Sequence, residues 1–283
     1  MPDKGSKGRY YRNHLSPPQF PAPWAEDWGE DKYGLWMSFA LQHIRQTLRW
    51  IRPGTFLMGA AKEENGQRPW LGRETQHRVT LSQGFWLADT TVTQEMWHAV
   101  MGVYPSGFRG DRHPVERISW HDTQVFLQHL NRHIQNFHAR LPTEAEWEYA
   151  CRAGTTSPFS QGSDISPELV NYNGKYPYFP TKEEGLYRKK TVIVKSFPCN
   201  SWGLYEMHGN IWEWCQDYWQ PDLKPQKSQP TYDPQGPKKG KYHSVRGGSW
   251  ASDACFVRSA CRDRYPSDYC FGSVGMRLAI STE

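Results

Sequence analysis

From Val245 to Leu278 the chain reads VRGGSWASDACFVRSACRDRYPSDYCFGSVGMRL, an ordered skeleton interrupted by residues that share no chemistry. The skeleton is Arg246-Gly247-Gly248-Ser249-Trp250, Val257-Arg258-Ser259-Ala260, Arg262, Arg264, Pro266 and Val274-Gly275-Met276-Arg277-Leu278. Between these stand Ala251, Ser252, Asp253, Cys255, Phe256, Cys261, Asp263, Tyr265, Ser267, Tyr269, Cys270, Phe271, Gly272 and Ser273. Neither the period of a half-buried strand nor that of a helix orders this set. A fold that contains such a stretch must fix the backbone with strands beside it, and let the intervening side chains face solvent.

One genetic mechanism accounts for the intervening residues. If each began as an AAC asparagine codon whose adenines were randomised, every product codon ends in C and cannot encode Met, Trp, Lys, Gln or Glu. None of those five types occurs from Ala251 to Ser273, although the chain holds 14 Trp and 7 Met. The segment resembles the variable proteins of diversity-generating retroelements.

The rest of the chain sets the kind of core available. Only 37% of the 283 residues are hydrophobic while 14% are aromatic, so the core must rest on a few large rings. Buried Trp and Tyr need partners for N–H and O–H, which suits an irregular, loop-rich fold. The net charge of +5 is modest, and Lys and Arg cluster only at Arg188-Lys189-Lys190 and Lys238-Lys239, so a nucleic-acid groove is not indicated. No apolar run reaches membrane-spanning length, and the opening MPDKGSKGRYYRNHL lacks the apolar core of a signal peptide. The expectation is a cytoplasmic protein with reduced cysteines, three of the six lying in the variable stretch.

Residues 1–30, rich in proline and aromatics, are expected to form an extended arm anchored by Trp24 and Trp28, and residues 31–283 a single domain with its variable region at about 251–273. Hairpins are expected over Met37–Met58 and over His77–Leu87, the latter broken at Gln83-Gly84. Thr93 can cap one helix, Ser119 or Asp122 starts a second running to Phe137, and Thr143 with Glu146 forms a capping box for a third that Gly154 ends. NIWEWCQDYW alternates as a half-buried strand, and the last strands are expected near Ser244–Trp250, Phe256–Arg262 and Val274–Ile280. Helices early and short strands late define an α+β domain.

Six motifs in one order then name a family: TFLMG at Thr55, QHRVTLSQGFWLADTTVTQEMW at Gln76, PVERISWHDTQVFLQHLN at Pro114, LPTEAEWEYACRAGT at Leu141, NSWGLYEMHGNIWEWCQDYW at Asn200, and RGGSW with GMRLA. Together they resemble the formylglycine-generating enzyme (sulfatase-modifying factor) family from about Leu48 onward. The resemblance implies a C-type-lectin-like fold with short antiparallel strands and two to three helices, used also by retroelement variable proteins. It also implies, in the family's oxidases, two copper-holding cysteines just after RGGS. Aligned through Arg258 and Arg262, those cysteines fall on Ala254 and Ser259. A serine hydroxyl is a poor ligand for soft Cu(I), so the oxidase activity is expected to be absent.

Relatives hold Ca²⁺ with an asparagine, nearby carbonyls and an acid, and the resemblance puts Asn171, Tyr172, Glu184 and Leu186 in those places. His129 and His133 have metal-compatible helical spacing but lack a visible third ligand, and read as a polar helix flank. The leading expectation is a non-enzymatic protein that binds a protein or other macromolecular ligand through the variable residues. The alternative is a formylglycine-generating copper oxidase acting on protein cysteine, with its thiols moved to Cys255 and Cys261.

Overall fold

Each helix begins where the sequence supplies a side-chain acceptor. The computed structural model describes residues 13–67, 74–223 and 231–282. Helix α1 is Gln94–Met101, with the Thr93 side chain accepting from Met96 N–H and Gly102 closing it at φ 72°. Helix α2 is Trp120–His133, opened by a reciprocal capping box between Ser119 and Asp122. Both candidate start residues therefore act, one as cap and one as its partner. The helix stops short of Phe137 because Asn131 takes the Ala139 N–H and donates to the Ala139 carbonyl, turning the chain back. Helix α3 is Glu144–Arg152, with the Thr143–Glu146 capping box in place; Ala153, at φ 46°, ends it one residue before Gly154. Thr143→Ala removes half of that box, and is expected to lower stability by about 1 kcal/mol in chemical denaturation.

The strands are, in chain order, β1 Asp27–Asp31, β2 Gly34–Leu41, β3 Ile44–Ile51, β4 Gly54–Met58, β5 His77–Leu81, β6 Phe85–Ala88, β7 Ala139–Arg140, β8 Trp212–Tyr218, β9 Thr231–Tyr232, β10 Tyr242–Arg246, β11 Arg262–Pro266, β12 Val274–Gly275 and β13 Ala279–Ile280. They form three sheets in the orders β1-β2-β3-β6-β13-β7, β11-β10-β8-β12 and β4-β5-β9. Mostly short strands with three helices give the α+β, loop-rich architecture expected.

Two hairpins differ from expectation. The first is β2 with β3, and it ends at Ile51; β4 leaves for another sheet. The second does not form. β5 pairs with β4 and β6 with β3, so Ser82-Gln83-Gly84 carries the chain between sheets. Gly84 permits the crossing, since a Cβ there would run into the Trp50 ring. β1 pairs with β2, so the last residues of the expected arm already belong to the sheet. Trp24 packs edge-on to Phe137 at 5.0 Å, whereas Trp28 remains 37% exposed. Residues 1–12 of that arm lie outside the described residues.

Strand β8 is not half-buried. Glu213 and Cys215 are covered as fully as Trp212 and Trp214, because α3 packs on the face opposite the main core. The C-terminal β13 slots between β6 and β7, tying the end of the chain to its first half. The last expected strands move too. Residues 254–256 form a 3₁₀ turn and the strand that follows begins only at Arg262.

Candidate ligand-binding surface

The variable region leaves the four-stranded sheet at β10 and returns to it through β11 and β12, so both ends are fixed by antiparallel or parallel pairing. Between those ends its carbonyls are held by residues outside the variable set. Asn173 N–H donates to Ser252 O at 2.9 Å, Arg258 Nε to Cys255 O at 2.9 Å, and Arg246 to Cys261 O. His121 N–H donates to Ser267 O, Arg117 N–H to Phe271 O at 3.2 Å, Trp250 Nε1 to Gly272 O at 2.8 Å and Trp212 N–H to Ser273 O at 2.7 Å. Every one of these bonds ends on a main-chain atom, so none depends on which side chain the variable position carries.

Beneath this segment lie buried ion pairs. Arg258 is fully buried and reaches Glu64 at 2.7 Å and both oxygens of Glu74 at 2.7 and 2.8 Å. Arg246 pairs with Glu148; Arg262 holds Glu144 at 2.5 and 2.9 Å and lies 4.3 Å from the Trp219 ring centroid. Arg277 grips Glu213, which also accepts from Trp147 Nε1 at 2.7 Å. Two guanidiniums hold the Glu144 carboxyl below its ordinary value despite full burial. Arg264 extends over Trp219 and Tyr242. The sequence pointed to the arginines as scaffold; their carboxylate partners, scattered from Glu64 to Glu213, gave no local signal.

Ala251, Cys270 and Phe271 are exposed, and Ser252, Asp253, Cys255, Phe256, Asp263, Tyr265, Ser267, Tyr269 and Gly272 are half-buried. Tyr265 and Tyr269 stack at 4.2 Å and 9°, and Phe271, 58% exposed, continues the series 6.2 Å from Tyr269. The inner edge of that ladder rests on Trp214. Burial pushes the Tyr265 phenol far up and the Asp263 carboxyl upward.

Two variable positions face inward. Cys261 is 1% exposed within the main core, at the turn into β11, and Ser273 is 8% exposed just before β12. Their side chains do not reach the surface. Trp250, the last residue of the first skeleton run, is half-buried, edge-on to Phe108 at 5.4 Å and stacked on Tyr187. Its N–H is used to hold Gly272.

The four residues carried over for Ca²⁺ lie on two neighbouring stretches of chain. Asn173 pairs antiparallel with Tyr187, which sets Asn171 against Lys190 and leaves Glu184 toward the other end of the ladder, beside Gly174. Asn171 and Tyr172 are buried, whereas Glu184 and Leu186 are exposed. Asn171 Oδ1 is buried without a partner, while its amide nitrogen donates to Lys190 O and to Asn210 Oδ1.

The two positions aligned with the family's copper-holding cysteines carry no thiol. Ala254 and Ser259 are fully buried, and Ser259 Oγ has as neighbour the Cys151 thiol at 3.6 Å. Burial pushes that thiol up to about 12 and His208 beside it down to about 4. Cys255 is half-buried and Cys261 fully so. His129 is half-buried and His133 exposed; among the described residues no three His, Cys, Asp or Glu converge as a metal site. No helix among the described residues is long and apolar enough to cross a membrane.

Three sheets, three helices and a long loop segment held between β10 and β12 define a C-type-lectin-like domain. A similar fold occurs in Treponema denticola variable protein 1, with a TM-score of 0.71 and 24% identity over 87% of this chain and 98% of that one. Residues 34–282 match the sulfatase-modifying factor enzyme 1-like domain model, and the chain belongs to that family. It is 32% identical over 211 residues to formylglycine-generating enzyme of Mus musculus, covering 72% of this chain and 53% of the mouse protein. To formylglycine-generating enzyme of Streptomyces coelicolor it is 34% identical over 199 residues, covering 65% of this chain and 60% of that one. The chain thus spans between half and two thirds of the length of these relatives.

Proposed function

We propose that this is a non-enzymatic ligand-binding protein, a retroelement-diversified member of the family whose variable residues contact a protein or other macromolecular ligand. The observation that carries this reading is the main-chain fixation of the variable positions between 252 and 273, which leaves the side chains of those that face outward open to replacement. The aromatic ladder of Tyr265, Tyr269 and Phe271 offers rigid contact area at low entropic cost, flanked by the small or polar Ala251, Ser252, Asp253 and Ser267, as in antibody paratopes. Sequencing the gene with its flanks tests it. An adjacent near-repeat with AAC at the variable codons, beside a reverse transcriptase gene, is the expected result; variable codons ending in mixed bases and no repeat would sink the reading.

The identity to formylglycine-generating enzymes favours one second reading, a copper oxidase acting on protein cysteine. With Ala254 and Ser259 at the aligned positions, incubation with Cu(I), oxygen and a cysteine peptide is expected to yield no formylglycine. Copper-dependent aldehyde formation that is lost in Cys261→Ser would replace the binding reading with the catalytic one.

A further inference from the structure

The C-terminal end of α3 opens onto a groove that no variable residue lines. Its volume is about 450 Å³, within the range of small-molecule sites. Three rings build one side. Phe56 and Tyr149 have centroids 5.0 Å apart, and Trp202 meets Tyr149 at 4.9 Å and 75°. Tyr149 reaches this place because residue 54 is glycine, where a Cβ would collide with the tyrosine hydroxyl.

Thr55 and Thr155 on the groove's lining bond Thr80 and the Arg152 carbonyl, but three other donors there have no acceptor. Among the described residues, the Tyr149 hydroxyl, Trp202 Nε1 and the exposed Arg78 guanidinium have no hydrogen bond or ion pair. Arg152, the other cation, is already neutralised by Glu148 at 2.9 Å. Among the described residues no carboxylate lines the groove, so Arg78 leaves it with one uncompensated positive charge beside an apolar wall.

We infer that this groove binds an acidic saccharide, a pyranose ring that bears a carboxylate. The Arg78 fork can donate to both carboxylate oxygens, a geometry that suits a guanidinium. The C–H face of the ring fits against Phe56 and Trp202, while its hydroxyls supply acceptors for Tyr149 and Trp202 Nε1. A phosphorylated ligand is disfavoured, because its two charges would meet a single free cation. Since the lining residues are outside the variable set, this specificity stays constant while the other surface changes, and it stands whether or not that surface is diversified.

Isothermal titration with digalacturonate, cellobiose and N-acetylaspartate tests the assignment. Digalacturonate is expected to bind, with cellobiose and N-acetylaspartate each at least tenfold weaker. Arg78→Met, at an exposed strand position, should leave the thermal midpoint unchanged and weaken digalacturonate at least tenfold; Trp202→Ala should weaken all sugars. Absence of digalacturonate binding, or affinity unchanged in Arg78→Met, overturns the proposal. Equal binding of N-acetylaspartate overturns it as well, by reducing the groove to an anion site.

Discussion

Arg258→Met is expected to destabilise the protein by about 3–5 kcal/mol, the cost of stranding a buried charge. The side chains of Glu64 and Glu74 are each only 3% exposed, and both turn toward this one guanidinium. Burial already raises the Glu64 carboxyl with Arg258 present, so removing the cation leaves two carboxylates in low dielectric with only protonation as an escape. The same guanidinium bonds Cys255 O and Gly66 O, so the variable segment loses an anchor together with the ion pair. By contrast, replacing Ala251, Cys270 and Phe271 together by serine should change stability by less than about 1.5 kcal/mol, since surface substitutions rarely exceed ~0.5 kcal/mol each. Urea denaturation of both variants measures the division between skeleton and variable residues. Comparable losses in the two would show that the exposed residues hold the fold, and the diversified reading would then fail. A triple Arg258→Met, Glu64→Gln, Glu74→Gln variant should recover part of the loss, which assigns the cost to stranded charge rather than to lost packing.

What the sequence made legible follows from how local each cause is. Caps act over three residues, so Thr93, Ser119 with Asp122, and Thr143 with Glu146 announce their helices directly. Strand partners are set at long range. Nothing within His77–Leu87 reveals that its two halves pair with β4 and β3 instead of with each other. Strand β8 reads as half-buried because Glu213 alternates with tryptophans. A buried glutamate becomes acceptable only when Arg277, far along the chain, supplies the charge. The candidate surface was visible as an irregular run of residue types, but its support was not. His121, Arg117 and Asn173 act through main-chain N–H groups, which no side-chain pattern encodes. The inward turn of Cys261 and Ser273 escaped for the same reason, since orientation follows from pairing geometry and not from residue type.

Asp217→Asn is expected to change the pH dependence of stability strongly. Full burial and the neighbouring Glu144 and Glu146 charges push the Asp217 carboxyl up to about 8, from an ordinary 3.8. Between those values the unfolded chain is ionised and the folded one keeps its proton, so the folded state binds more protons and stability falls as pH rises. The contribution is complete below pH ~4 and gone above the folded value, a swing on the order of a few kcal/mol. Glu206, raised to about 7 by burial, adds the same sign. The buried His208 and His243, both lowered to about 4, add the opposite one: their stability is lost as pH falls from about 6.5 toward 4. The two pairs offset each other across the mildly acidic range, and above it the carboxyls alone remain, so the wild type should weaken steadily from pH 6.5 to 8. The carboxamide introduced by Asp217→Asn keeps an acceptor for the Glu144 N–H, which Asp217 Oδ2 now receives at 2.8 Å, and removes the titration. The variant's denaturation midpoint should therefore approach and then exceed that of the wild type as pH rises from 5.5 to 8.5. A constant offset between the two curves would mean that Asp217 is already ionised in the folded state, and that Arg246 and Arg262 neutralise it together with Glu144.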